Sequence, residues 1–319
     1  EGSDAMVMIE YTEALDEETI AVYKSVAPNT GLMNRGDDFR KDQLLFRKGH
    51  RITVKDIGML AAIGKDQVKV FKKPGISILS TGDEIIDITQ IPRPGEVRDI
   101  NSYTIAAFAE ATGAAVQFIE KVPDVEHMLK STLEAALAES DIVLLSGGSS
   151  AGNKDMTAEI IDSMGKPGVV THGVAMKPGK PTIIGVIETK AEDGSMRNKL
   201  VVGLPGHPMA AIVAYDVIVN DFMRKYCFHN EEEPIRITAR ITENIHAGEG
   251  RETYQLVSLR RADSVCRGSD SEPEWIAEPI HAKSGSISQL MLADGYVKIS
   301  SLSEGVKVNA GVEVTLIGR

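Results

Sequence analysis

The chemistry open to this chain lies in three glycine-rich loops and a few charged side chains. An apolar run from Ile142 leads into Ser146-Gly147-Gly148-Ser149-Ser150-Ala151-Gly152-Asn153-Lys154-Asp155. A strand entering such a loop, with a helix after it, presents backbone N–H groups and a helix N-terminus to an anion, usually a phosphate. Two further loops follow, Lys177-Pro178-Gly179-Lys180-Pro181 and Gly203-Leu204-Pro205-Gly206-His207-Pro208. Three anion-binding loops in one segment indicate a large ligand bearing phosphate. No GxGxxG or GK[ST] order is present, so an ordinary NAD or ATP site is not supported.

Each element also has a plainer reading. Ser80-Thr81-Gly82-Asp83-Glu84 closes an apolar run: its hydroxyls and glycine can approach a ligand and its carboxylates can hold Mg²⁺, or it is a turn with a solvated acidic pair. Asp99 and Asn101 read polar ligand edges, or Asn101 or Ser102 caps the helix that follows. The cap is the simpler account on local grounds. Asp155 caps a helix or ligates a metal. Lys177 and Lys180 flank a turn stiffened by prolines, which lowers the entropy lost when two ammonium groups close on an anion. The plain alternative is a surface turn with solvated lysines. Pro205 and Gly206 form another anion loop ahead of a helix; a lone His207 is more often structural than catalytic. Arg35-Gly36-Asp37-Asp38 reads as a polar turn.

These residues need elements to hold them. From position 74 onward, strands and helices alternate: strands near 76–80, 115–119, 141–146, 169–170, 182–188 and 200–204, and helices over 102–112, 125–139, 156–164 and 208–226. Such alternation predicts a parallel, doubly wound sheet with its ligand at the carboxyl ends of the strands. The loops after 80, 146 and 204 then share one rim. Before position 72 the chain reads as β-rich, with strands at 5–10, 19–25, 43–46 and 68–71 and a helix capped by Thr53. After an acidic linker at 231–234, strands at 235–241, 252–259, 275–279, 295–299 and 312–317 predict a small β-barrel or sandwich, with a short helix near 286–292. The expected division is 1–72, 73–229 and 234–319, a multi-domain α/β protein.

Composition narrows the partners. The 319 residues carry a net charge of −11, with 42% hydrophobic and 25% charged residues. No lysine- and arginine-rich cluster appears, which argues against nucleic acid. No apolar run is long enough for a membrane span. Two cysteines without a metal-binding spacing fit a reduced, cytoplasmic protein. The chain opens at Glu1 and is expected to be a piece of a longer protein.

Taken together and in order, Ser-Thr-Gly-Asp-Glu (80–84), Asp-x-Asn-Ser (99–102), Ser-Gly-Gly-x-Ser-x-Gly-x-x-Asp (146–155), Lys-Pro-Gly-Lys-Pro (177–181) and Gly-Leu-Pro-Gly-x-Pro (203–208) resemble the molybdopterin molybdenumtransferases, the MoeA proteins of bacteria, which are similar to the E domain of gephyrin. The resemblance covers essentially the whole chain but lacks that family's N-terminal segment. It implies a central molybdopterin-binding α/β domain, a β-rich N-terminal remnant and a C-terminal small β-barrel. It implies Mg²⁺-dependent insertion of molybdate into adenylylated molybdopterin with release of AMP, by a homodimer. By position, Glu84 and Asp155 are the metal or catalytic carboxylates, Asp38 matches the acidic turn, and Lys177 and Lys180 meet phosphate or molybdate. Ser80, Thr81, Gly82, Asp83, Asp99, Asn101, Ser102, Ser146, Gly147, Gly148, Ser150, Gly152, Pro205, Gly206 and His207 line the molybdopterin site. His207 stands where the family usually has Asn. Two other readings are a non-catalytic molybdopterin-binding scaffold and a tungsten-inserting variant. Retained Glu84 and Asp155 speak against the scaffold. A competence-damage hydrolase should lack both the lysine loop and the terminal β domain.

Overall fold

The computed structural model describes residues 2–147, 153–190, 193–248, 250–262, 275–281 and 285–318; for 153–155 it describes the backbone alone. The chain divides into two compact units, 1–50 and 51–319.

The first unit holds one antiparallel hairpin, β1 (Thr12–Ala14) with β2 (Ile20–Val22), after a single 3-10 turn at Ile9–Tyr11. No strand forms over 5–10, 43–46 or 68–71. At 5–10 the reason is visible. Met6 makes a backbone bond to Thr30, and Met8 and Ile9 are exposed, so the run has no ladder to join.

The second unit opens with α1 (Val54–Ala62), capped by a reciprocal box in which the Asp56 carboxylate accepts from the Thr53 backbone N–H at 2.6 Å and hydroxyl at 2.8 Å. Next come β3 (Gly75–Thr81), the short strands β4 (Ile85–Ile86) and β5 (Val97–Arg98), α2 (Asn101–Ala111), β6 (Ala115–Val122), α3 (Glu126–Glu139), β7 (Ile142–Gly147), α4 (Asn153–Ser163), β8 (Pro167–His172), β9 (Met176–Lys177), β10 (Ile183–Lys190), β11 (Met196–Leu204) and α5 (Pro208–Ala214). The central sheet runs β6-β3-β7-β11-β10-β8. Strands β6, β3, β7 and β11 are mutually parallel. The expected parallel, doubly wound sheet forms with one exception, β10, which runs antiparallel to both neighbours and forms a hairpin with β11. An apolar run buried on both faces does not encode its direction, and here a short hairpin replaces a helical crossover.

Alternation along the strands feeds two cores. Ile76, Ile78, Ile142, Leu144 and Val202 meet α2 and α5 through Ile105, Ala109 and Ala211, and Tyr215 just after α5 joins them. Leu79, Val143, Leu145 and Val201 face the other way and meet α3 and α4 through Leu129, Leu133, Ile160 and Ile161. Each sheet face therefore buries its own helix pair, as a doubly wound fold requires. The expected long helix at 208–226 is α-helical only to Ala214. It continues as two π-helical segments, Tyr215–Asn220 and Met223–Cys227.

The remaining strands are β12 (Arg236–Ile241), β13 (Ile245–His246), β14 (Glu252–Arg261), β15 (Trp275–Pro279), β16 (Gly295–Ile299), β17 (Gly305–Val306) and β18 (Gly311–Leu316), with α6 (Ile287–Leu290) between β15 and β16. The order β15-β12-β18-β16-β14 closes when β14 pairs back onto β15, making a five-stranded barrel. Its interior holds Ala239, Ile241, Val257, Ala277, Val297, Ile299 and Val314. A separate cluster of Met209, Val213, Tyr254, Leu256 and Tyr296 packs the barrel wall against α5. Among the described residues no helix is long and apolar enough to cross a membrane.

Candidate functional site

Ser146 marks the level of the rim. It is the parallel register partner of Ser80 on one side and of Leu204 on the other. Three loops therefore leave the sheet side by side, where strands end and helices begin. This is where a doubly wound sheet collects its ligand.

The first loop turns on two glycines. Thr81 pairs with Gly147, whose φ is 123°, and a Cβ on Gly147 would lie 1.8 Å from the Thr81 carbonyl oxygen. Only glycine permits that approach. Gly82 has φ 140°, and the Glu84 carboxylate folds back toward it. Asp83 and Glu84 are exposed, whereas Ser80 and Thr81 are buried. Asp83 accepts a hydrogen bond from the Asp124 backbone N–H at 3.3 Å, which draws it toward the turn after β6. The Glu84 carboxylate has no hydrogen-bond or ion-pair partner among the described residues.

A clip joins this loop to the next motif. The Val97 N–H donates to the Glu84 carbonyl at 2.8 Å, and the Asp99 N–H donates to the Ile86 carbonyl at 2.9 Å. Asp99 accepts from the Ser102 N–H at 3.1 Å and the Ser102 hydroxyl at 2.7 Å, so its carboxylate caps α2. Buried Asn101 donates through Nδ2 to Ser146 Oγ at 2.8 Å and to the Gly206 carbonyl at 2.9 Å. The β4–β5 pairing had no sequence signal, because two-residue strands carry no periodicity.

Gly148, Ser150 and Gly152 lie outside the described residues. Asp155 is the third residue of α4, and its side chain lies outside the described ones. Pro205 is buried and His207, at the N-cap of α5, is exposed. A Cβ on Gly285, from the barrel, would stand 3.7 Å from the His207 ring. Lys177 and Lys180 are both exposed. Their turn is held from within: the Val174 N–H donates to the Lys180 carbonyl at 2.9 Å, and the Thr182 hydroxyl donates to the Gly179 carbonyl at 2.7 Å. It is also held from outside, because β9 runs parallel to β14, with the Glu252 N–H donating to the Ala175 carbonyl at 2.9 Å. The involvement of Glu252 and Thr253 was not foreseen; the pairing spans 76 residues of sequence, counted from Met176 to Glu252. Asp38 belongs to the first unit, exposed beside Asp37, whose carboxylate accepts from the Asn34 N–H at 2.6 Å.

Among the described residues no group of three or more His, Cys, Asp or Glu side chains is placed to hold a metal. The rim instead gathers the hydroxyls of Ser80, Thr81 and Ser146 at its strand ends, and Glu84, Lys177 and Lys180 are exposed. That composition suits a phosphate-bearing ligand.

Known proteins resemble this chain in sequence and in fold. Residues 77–225 match the family described as a probable molybdopterin binding domain. Residues 1–64 match the MoeA N-terminal region (domain I and II), and 238–317 match the MoeA C-terminal region (domain IV). A solved molybdopterin biosynthesis MoeA protein from Pyrococcus horikoshii superimposes with a TM-score of 0.75 at 32% identity, over 98% of this chain and 72% of that one. A putative molybdopterin biosynthesis protein from Methanocaldococcus jannaschii is 29% identical over 99% of this chain and 73% of its own. The molybdopterin molybdenumtransferase of Haemophilus influenzae is 28% identical over 80% of this chain and 61% of its own. The chain belongs to the MoeA family, an enzyme family of molybdenum cofactor biosynthesis.

Proposed function

We propose that this chain forms the molybdopterin-handling part of a molybdopterin molybdenumtransferase, acting on adenylylated molybdopterin and molybdate and releasing AMP. The observation that supports this most directly is the common level of the three strand ends at Ser146, which gives one ligand access to every loop. The phosphates would lie on the loop N–H groups and the N-terminus of α4. Lys177 and Lys180 would balance charge that develops on the departing AMP phosphate and on incoming molybdate. Water attacks phosphorus, the pyrophosphate P–O bond breaks, and AMP leaves with the bridging oxygen or without it according to which phosphorus is attacked.

Mg²⁺ fits the donor set, because this ion is commonly held by one or two carboxylates together with substrate phosphates rather than by an all-protein cage. Glu84 and Asp155 would hold it, and when bound it supplies positive charge at the phosphate oxygens. Asp38 is proposed as a further catalytic carboxylate only because its Gly36-Asp37-Asp38 turn matches the acidic turn of the family. The active form would be a homodimer, checked by its mass in solution.

The test is AMP release from adenylylated molybdopterin by the protein with Mg²⁺, with and without molybdate. Molybdate-stimulated release supports the transferase. Tight binding without release would replace it by the binding scaffold, and a stronger response to tungstate would identify the tungsten-inserting variant.

A further inference from the structure

Asn101 spends both hydrogens of its amide on the protein. The Gly206 carbonyl can only accept, so the atom facing it at 2.9 Å must be nitrogen, and the same nitrogen reaches Ser146 Oγ at 2.8 Å. Gly206 precedes α5, Ser146 is the penultimate residue of β7, and Asn101 begins α2, so one amide ties together three elements that are distant in sequence. The neighbouring Asp99 carboxylate is committed to Ser102 through both oxygens.

We infer that Asn101 is a positioning residue that fixes the Gly206 loop against the Ser146 loop before ligand arrives, and that it offers a ligand only its acceptor, Oδ1. It therefore does not bind phosphate, which at neutral pH needs donors. What it can recognise is an N–H or O–H edge, as on a pterin ring or a ribose. This rests on the molybdopterin reading for the identity of the ligand, but the clamp itself does not.

Two measurements separate these. The first is amide hydrogen exchange on the unliganded protein. Asn101→Ala should speed exchange together at 146–147 and at 206–207, while the barrel stays protected. A change confined to the start of α2 would overturn the clamp. The second is affinity for adenylylated molybdopterin. Asn101→Ala and Asn101→Asp should each weaken binding at least about tenfold at neutral pH, with melting temperatures within a few degrees of the parent. Asn101→Asp places a carboxylate against the Gly206 carbonyl, so it alone should regain affinity as pH falls from about 7 to about 5 and its carboxyl gains a proton to donate. Equal affinity in all three proteins, or identical pH profiles for the two variants, would overturn the assignment. A parent protein that fails to bind molybdopterin sinks the functional reading, and the exchange result then decides the clamp alone.

Discussion

Lys177 of the α/β domain is the register partner of Thr253 of the barrel. The lysine loop is thus an added strand on the barrel wall as well as a loop of the central domain. Its backbone is held by β14, and the first residue of β14, Glu252, is in turn held by an ion pair and a tyrosine hydroxyl.

That network should be visible in stability. Glu252 pairs with Lys298 at 2.8 Å and accepts from the Tyr254 hydroxyl at 2.7 Å. Lys298 and then Tyr254 hold its carboxyl below the usual range. A lowered folded-state value contributes stability that is present above the unfolded pKa and is lost as pH falls through the folded one. Because the pair is partly exposed, Glu252→Gln should cost at most about 1 kcal/mol at pH 7. The difference from the parent should fade in urea titrations taken down through about pH 4 toward pH 3. A gap that persists undiminished in acid would assign the effect to packing.

Asp216 should behave with the opposite sign. It lies in the first π-helical segment, accepts from Asn220 at 2.9 Å, and is hydrogen-bonded with Tyr296 of the barrel. Burial pushes its carboxyl up, against the lowering effect of those two hydrogen bonds. A raised folded-state value contributes stability that is present below the unfolded pKa and is lost as pH rises through the folded one. Asp216→Asn keeps an acceptor for Asn220 and removes the buried charge. It should equal or exceed the parent in stability at about pH 8, with the advantage shrinking toward about pH 4. Clear destabilisation at pH 8 would mean that the charge is needed there.

Glycine is required at Gly147 and optional at Gly95. Both have positive φ, 123° and 91°, but only at Gly147 would a Cβ collide with backbone, whereas nothing lies within 4 Å of a Cβ at Gly95. Gly95→Ala should cost about 1 kcal/mol for the left-handed conformation alone. Gly147→Ala should cost several times more, on the order of 3 kcal/mol, because β3 and β7 must part at the rim. Urea midpoints compare the two directly, and similar values would show that the rim can relax.

Glu84→Gln tests the chemistry apart from the fold. The side chain is exposed, so melting temperature should stay within a few degrees of the parent. AMP release from adenylylated molybdopterin should fall by roughly a hundredfold or more, the usual scale for a positioned acid–base or charge-holding group. Unchanged turnover would remove Glu84 from the mechanism.

Much of the fold was legible because its signals are local. The barrel strands at 275–279 and 295–299 have the limits expected from alternating apolar residues, and α3 runs from Glu126 to Glu139 where its apolar spacing placed it. Several features were not legible. The direction of β10 is invisible to a run of Ile183, Val186 and Ile187, since direction is set by the partner strands. β9 is two residues beside a proline, and it exists because a distant strand receives it. The π-helical turns after Ala214 occupy an apolar stripe that reads as ordinary α-helix. The candidate site is read from loop compositions, and the structure sets the strand ends at Ser80, Ser146 and Leu204 at one level. How its parts divide the work was not legible: Asp99 and Asn101 stand two residues apart, yet one caps a helix and the other joins two loops.

Closure of the barrel also governs what the molecule can stick to. With β15 bonded to both β12 and β14, the barrel strands form a ring without an open edge, and β9 already occupies the extra position beside β14. Among the described residues, the large sheets leave open edges at the outer strands of the central sheet, β6 and β8, beside those of the short two-stranded pairs. β6 carries Glu120 and Lys121 near its end, and β8 begins with Pro167, which has no N–H to give. Charge and a proline thus guard the two outer margins of the central sheet.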